Sequence, residues 1–302
     1  MKKTGKVFLV SAGPGDPGLL TCRGAELIRR AEAAVYDRLV SREVLELLPE
    51  HAEKIPVGKF AGRHPVPQEK IHEILIAKAR EGKQVVRIQG GDCFLFGRGG
   101  EEGLALRQAG IPFEMVPGVT SALSAPASAG IPVTHRGLSS SVHILTGHGQ
   151  KNSPVAIDYE SLARTGGTLV FLMSVATIGE ITEGLLRAGM APDTPAAAVE
   201  NGTMGSRRKF LVPLSELERT AAENKVQSPA VFIVGKVCGL SESLDWFAER
   251  PLFGRKILVT APENSAGRLS ALLREQGAEV LYMPCIRLEE LDTAVREPLS
   301  RA

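Results

Sequence analysis

The sequence predicts an α/β protein of two domains, followed by a short C-terminal βαβ unit. Apolar runs that read as strands alternate with runs of helical periodicity along the whole chain. Several of the strand-like runs open into loops dense in glycine and small residues, the kind found at the carboxyl ends of strands in α/β sheets. At 302 residues the chain is too long for one average domain, and its composition shifts at Ala125-Pro126-Ala127-Ser128-Ala129-Gly130-Ile131-Pro132, which reads as a crossover.

Taken in order, Lys6 to Val10 reads as the first strand and Ser11 to Gly18 as its loop. Leu19 to Ala33 has helical spacing, opened by Thr21, and Ala34-Val35-Tyr36 is a short second strand closed by Asp37-Arg38. Val57 to His64 is a basic loop. Pro67-Gln68-Glu69 begins a helix over Lys70 to Glu81 that Gly82 ends. Gln84 to Ile88 is a buried strand, Gly103 to Ala109 a helix and Ile111 to Val116 a strand leading into Pro117 to Ala122. The second half repeats the alternation, with strands at Val142 to Thr146, Thr168 to Met173, Ala196 to Val199 and Ala230 to Val234, and helices at Ala176 to Ala188 and Leu214 to Glu223. Arg250-Pro251 marks a boundary. The tail has a strand at Lys256 to Thr260, a helix at Ser265 to Gln276 and a strand at Glu279 to Met283, small for an independent core. The expected domains are 1–118, 119–248 and 253–302.

Composition narrows the function. A net charge of +2 and 5% aromatic residues argue against a general nucleic-acid or membrane-surface binder, so an acidic ligand needs a local cluster of Arg and Lys. Cys22, Cys93, Cys238 and Cys285 are scattered, with no CxxC pair and no metal-ligand spacing, as expected of a reduced cytoplasmic compartment. No run approaches the length of a membrane span.

The densest loop is Gln89-Gly90-Gly91-Asp92-Cys93-Phe94-Leu95-Phe96-Gly97-Arg98-Gly99-Gly100-Glu101-Glu102, directly after the central strand. Its glycines let a ligand approach bare backbone amides, and Asp92 and Arg98 add charge of each sign. The first loop, Gly13-Pro14-Gly15-Asp16-Pro17, lacks GxGxxG, and its prolines remove amides that a phosphate cradle would use, which argues against a Rossmann dinucleotide site despite Asp37 downstream.

These two loops, with Tyr36-Asp37-Arg38-Leu39-Val40, Val57-Gly58-Lys59, Val66-Pro67-Gln68-Glu69, Pro117-Gly118-Val119-Thr120-Ser121, Gly130 to Arg136 and Glu200-Asn201-Gly202-Thr203, closely resemble the uroporphyrinogen-III C-methyltransferases of the tetrapyrrole methyltransferase family, from about Gly5 to Phe247. Phe253 to Thr260 and Leu272 to Val280 resemble the opening of uroporphyrinogen-III synthase, too little of it to expect synthase activity. The resemblance implies a two-domain tetrapyrrole-methylase fold with the active site in the interdomain cleft. It implies a cytoplasmic homodimer that uses S-adenosyl-L-methionine, releases S-adenosyl-L-homocysteine and methylates uroporphyrinogen III twice. The product, precorrin-2, feeds siroheme and cobalamin synthesis.

By the same resemblance Asp37 is the proton acceptor and Lys59 the proton donor. Pro14, Gly90, Gly91, Asp92, Leu95, Thr120, Ser121, Met173 and Gly202 are expected to bind the methyl donor, and Arg38, Arg63, Arg98 and Arg136 the substrate carboxylates. The chain departs from the family's usual Gly-Ala-Gly-Pro-Gly at Ser11, and from Lys-Gly-Gly-Asp-Pro at Gln89 and Cys93. Losing that Lys removes a cation, and losing that Pro frees an amide and adds local freedom. Two other readings stand beside the first: a methyltransferase acting on a later corrin precursor, and a non-catalytic tetrapyrrole carrier.

Overall fold

The computed structural model describes residues 4–58, 66–147, 149, 156–283 and 285. The first half runs β1 (Lys6–Ser11), α1 (Cys22–Ile28), β2 (Ala33–Tyr36), α2 (Arg42–Leu45), β3 (Glu53–Pro56), α3 (Gln68–Arg80), β4 (Gln84–Gln89), α4 (Gly99–Gln108) and β5 (Phe113–Val116). Its five strands form one parallel sheet in the order β3-β2-β4-β1-β5. Alternate residues of the central strands feed two cores. Phe8, Val10, Val86 and Ile88 pack with Leu27 and Ile28 of α1, whereas Val7, Leu9 and Val85 pack with Ile71 and Leu75 of α3. A sheet covered on both faces has nearly continuous apolar strands, which is why β1 and β4 were the plainest in the sequence. The chain leaves β1 toward β2 and leaves β4 toward β5, in opposite directions across the sheet. The carboxyl ends of β1 and β4 therefore form a topological switch point, where such sheets bind ligands.

The second half contains α5 (Ser121–Ser128), β6 (Val142–Thr146), α6 (Tyr159–Thr165), β7 (Thr168–Leu172), α7 (Ile178–Arg187), β8 (Pro195–Glu200), β9 (Arg208–Pro213), α8 (Leu217–Glu223), β10 (Ala230–Val234) and α9 (Ser241–Leu244). Its sheet has the order β6-β7-β10-β8-β9 and is mixed: β6 and β7 are parallel, and the other pairs antiparallel. The stretch read as a crossover begins inside helix α5 and includes its last four residues; Ala122 and Ala125 of this helix pack on Val170, Ala197 and Val231 of the sheet. Pro126 and a run of small residues hid it. Two strands absent from the sequence reading are β3 and β9, both at sheet edges.

The tail forms β11 (Lys256–Val259), α10 (Glu263–Glu275) and β12 (Glu279–Tyr282), a parallel βαβ unit. It touches both halves. Arg274 pairs with Glu43 at 2.8 Å, Arg42 donates to the Tyr282 carbonyl at 3.1 Å, and the Gly254 amide donates to the Gly205 carbonyl at 3.2 Å. Among the described residues no helix is long and apolar enough to cross a membrane.

Candidate active site

A cleft of about 430 Å³ opens between the two sheets, floored by the loops after β1 and β4 and walled by the ends of β7, β8 and β10. Contacts between the described residues join its sides. The Asp16 amide donates to Thr203 Oγ1 at 3.3 Å, and Leu95 of the first half packs on the core that α5 shares with the second sheet.

Of the residues that the sequence marked, Asp37, Pro14, Gly90, Gly91, Asp92, Leu95, Thr120, Ser121, Met173, Gly202, Arg38 and Arg98 all line this one cleft. Arg136 does not; it is exposed on the turn closed by the His135–Ser139 bridge. Lys59 and Arg63 lie outside the described residues.

The glycine loop after β4 is held by β1. Gly13 and Gly91 exchange backbone hydrogen bonds at 3.1 and 2.6 Å, and the Ala12 amide donates to the Gln89 carbonyl at 2.7 Å. The first loop spends its Ala12 and Gly13 amides on this pairing, its Asp16 amide on Thr203 and its Gly18 amide on Asp16, a physical reason why it is no phosphate cradle. Both oxygens of Asp92 accept backbone amides, from Phe94 at 2.8 Å and Gly118 at 2.9 Å. Asp92 thus ties the β4 loop to the β5 loop. Thr120 caps α5 by accepting from Ala122, so the positive end of that helix meets the cleft. Gly202 approaches α5 so closely that a Cβ there would collide with Ala125.

Backbone strain gathers at the same place. Five non-glycine residues among those described have positive φ, and four of them, Phe96, Arg98, Met173 and Asn201, line the cleft. Such conformations cost on the order of 1–3 kcal/mol each and cluster where function holds them.

The sequence reading missed the group behind Asp37. Arg87 of β4, its side chain 3% exposed, donates to Asp37 Oδ1 at 2.9 Å and to Glu102 Oε1 at 3.0 Å. Gln68 Nε2 donates to the same Glu102 oxygen at 3.0 Å. A buried Arg demands partners. The single Arg within the apolar run Val85-Val86-Arg87-Ile88 is the sequence signal of such a group. Arg98 reaches the cleft with its guanidinium paired to Glu101 at 2.9 and 2.7 Å. Arg38 and Leu39 are exposed at the rim, with Phe96 40% and Met173 48% exposed.

The family model of the tetrapyrrole (corrin/porphyrin) methylases matches residues 6–218. The chain belongs to that family. A porphyrin biosynthesis protein HemD from Ruminiclostridium josui is 52% identical over 284 residues, covering 94% of this chain and 56% of that protein. The chain thus spans about half the length of that relative. An S-adenosyl-L-methionine-dependent uroporphyrinogen III methyltransferase from Methanosarcina barkeri is 48% identical over 241 residues, covering 80% of this chain and 94% of that one. Among solved structures, the uroporphyrin-III C-methyltransferase of Thermus thermophilus, complexed with S-adenosyl homocysteine, is 42% identical with a TM-score of 0.68, over 78% of this chain and all of that chain, 100%. In this methylase the departures at Ser11 and Cys93 meet: the Cys93 amide donates to Ser11 Oγ at 3.0 Å. Gln89 Nε2 donates to the Gly97 carbonyl at 2.6 Å, closing the loop on itself.

Proposed function

We propose that the chain transfers methyl groups from S-adenosyl-L-methionine to two ring carbons of uroporphyrinogen III, a step of siroheme and cobalamin biosynthesis. The observation that carries the proposal is the convergence of twelve motif residues from both halves on one cleft. Its volume of about 430 Å³ falls within the roughly 300–1,000 Å³ of small-molecule sites. Its walls suit the donor. Glycine amides and the α5 N-terminus offer polar contacts for a carboxylate and ribose, and Leu95, Leu172, Val199 and Val231 offer an apolar bed for adenine.

When bound, the donor supplies an electrophilic methyl group on a sulfonium. The chain's residues supply placement and proton management. Holding donor and tetrapyrrole in line in a rigid cleft accounts for much of the acceleration. Asp37 stands in the cleft with Oδ1 held by Arg87, which leaves Oδ2 to take the proton that a methylated tetrapyrrole must lose. Lys59 is the proton donor on the strength of the motif resemblance. Arg38 and Arg98 at the rim receive substrate carboxylates, and Arg63 is a further candidate on the strength of the motif resemblance alone. We take the protein to be a cytoplasmic homodimer with domains at 1–118 and 119–248. The unit at 253–302 we take as synthase-like, supported by its motifs.

Anaerobic incubation of uroporphyrinogen III with S-adenosyl-L-methionine and the protein, followed by mass spectrometry, tests this. A gain of two methyl groups is expected. No gain sinks the assignment.

A further inference from the structure

The loop of residues 90–98 supplies much of the cleft floor. Several of the bonds that hold it come from the end of β1 and the residues just after it. The Gly13–Gly91 exchange and the Ala12 to Gln89 bond hold the loop's beginning. At its centre the Cys93 amide donates to Ser11 Oγ. Ser11 and Cys93 are both fully buried. A buried amide without an acceptor carries the full cost of its lost water, and the Ser11 hydroxyl is what meets this one. Asp92 immediately precedes Cys93 and spends both carboxylate oxygens on neighbouring amides. A shift at Cys93 therefore moves Asp92, and with it the contact to Gly118 in the next loop. Gly118 itself lies against Ser11, where a Cβ would come within 2.5 Å of the serine Cβ.

The Cys93 thiol has another role. Burial pushes its pKa up, so it remains a neutral filler of the core beneath the loop. What matters at position 93 is the amide. A proline there would have no N–H to satisfy and would fix its own φ. A residue with an amide needs an acceptor, and the side chain at position 11 provides it.

We infer that Ser11 is a positioning residue of this methylase, holding the 90–98 loop in its ligand-receiving shape through the Cys93 amide. The Ser11 hydroxyl and the Cys93 amide act as one unit. The inference rests on the reading of the cleft as the methyl-donor site, and it concerns a residue that need touch neither donor nor substrate.

Calorimetry with S-adenosyl-L-homocysteine on four proteins tests it, together with amide hydrogen exchange at residues 93–96. Ser11→Ala should bind about tenfold more weakly than wild type, as expected when one buried donor is orphaned. Its KM for the donor should rise with little change in kcat. Cys93→Ala keeps the amide and should bind within about threefold of wild type. In Ser11→Gly/Cys93→Pro the donor is gone, and binding should return to within about threefold of wild type. Exchange at Cys93 should accelerate in Ser11→Ala. Unchanged binding and exchange in Ser11→Ala, or a double variant as weak as Ser11→Ala, would overturn the inference. If wild type binds no S-adenosyl-L-homocysteine, the functional reading falls, while exchange at Cys93 still decides whether Ser11 holds the loop.

Discussion

Asp37 is set by a cation that lies one strand away. Arg87 is shared between Asp37, at the cleft, and Glu102, which is 0% exposed, so one buried guanidinium is pinned by two carboxylates and Gln68 braces the inner one. Removing the cation leaves the buried Glu102 without its counter-charge, held by Gln68. Arg87→Leu should therefore destabilise the fold by about 3–5 kcal/mol, read as a lowered urea midpoint at unchanged m-value. A variant as stable as wild type would show that the group is not energetically coupled. At this scale the sequence disclosed the groups that face the cleft, because they fall in short motifs of distinctive residue type. It did not disclose the groups that face Asp37 from behind. Arg87 and Glu102 lie 15 residues apart on different elements, and only the fold brings them together.

Between elements, the cleft walls depend on close backbone approach. Gly202 follows β8 and abuts Ala125 of α5, and Thr120 caps that helix where it meets the cleft. Gly202→Val should force this wall outward, weakening S-adenosyl-L-homocysteine binding by at least tenfold and lowering stability by about 1–3 kcal/mol, the range of overpacking. Calorimetry and thermal melting read the two effects separately. Legibility of elements followed burial. β1, β4, β7, β8 and β10 are buried along nearly all their length and read as apolar runs. β3 is four residues with two charged, and β9 begins Arg208-Lys209 at a sheet edge, so neither carries a full apolar signature. In α5, Pro126 removes one helical donor and the alanines and serines leave no apolar stripe, so tertiary packing on the second sheet decides its structure.

The molecule as a whole is stapled where the second half ends. Arg207, 2% exposed in its side chain, makes a bidentate pair with Asp245 at 2.9 and 2.9 Å and also donates to the Ser128 carbonyl at the end of α5. Lys209 adds a bond to Asp245 at 2.7 Å, and Arg207 lies over the rings of Phe247 and Phe253, where the tail begins. Burial raises the Asp245 carboxyl pKa, but the hydrogen bonds and charges of Arg207 and Lys209 more than offset this and hold it below the ordinary value. A depressed folded pKa gives stability that is complete above the unfolded carboxylate pKa, about 3.9, and is lost as pH falls through the lower folded value. Asp245→Asn should thus be about 3 kcal/mol less stable than wild type at neutral pH. That gap should be constant down to about pH 5 and shrink below it. Urea titrations from pH 7 to pH 3 read it, and a gap independent of pH would contradict the assignment of the charge.

We infer that the cleft between the sheets is a methyl-transfer site in which Asp37 removes the proton. The most direct test pairs S-adenosyl-L-homocysteine binding with turnover of uroporphyrinogen III in Asp37→Asn. Binding should stay within about threefold of wild type and turnover should fall by about 10²–10⁴, the usual contribution of a positioned base. Turnover at the wild-type rate with the carboxylate gone would contradict it.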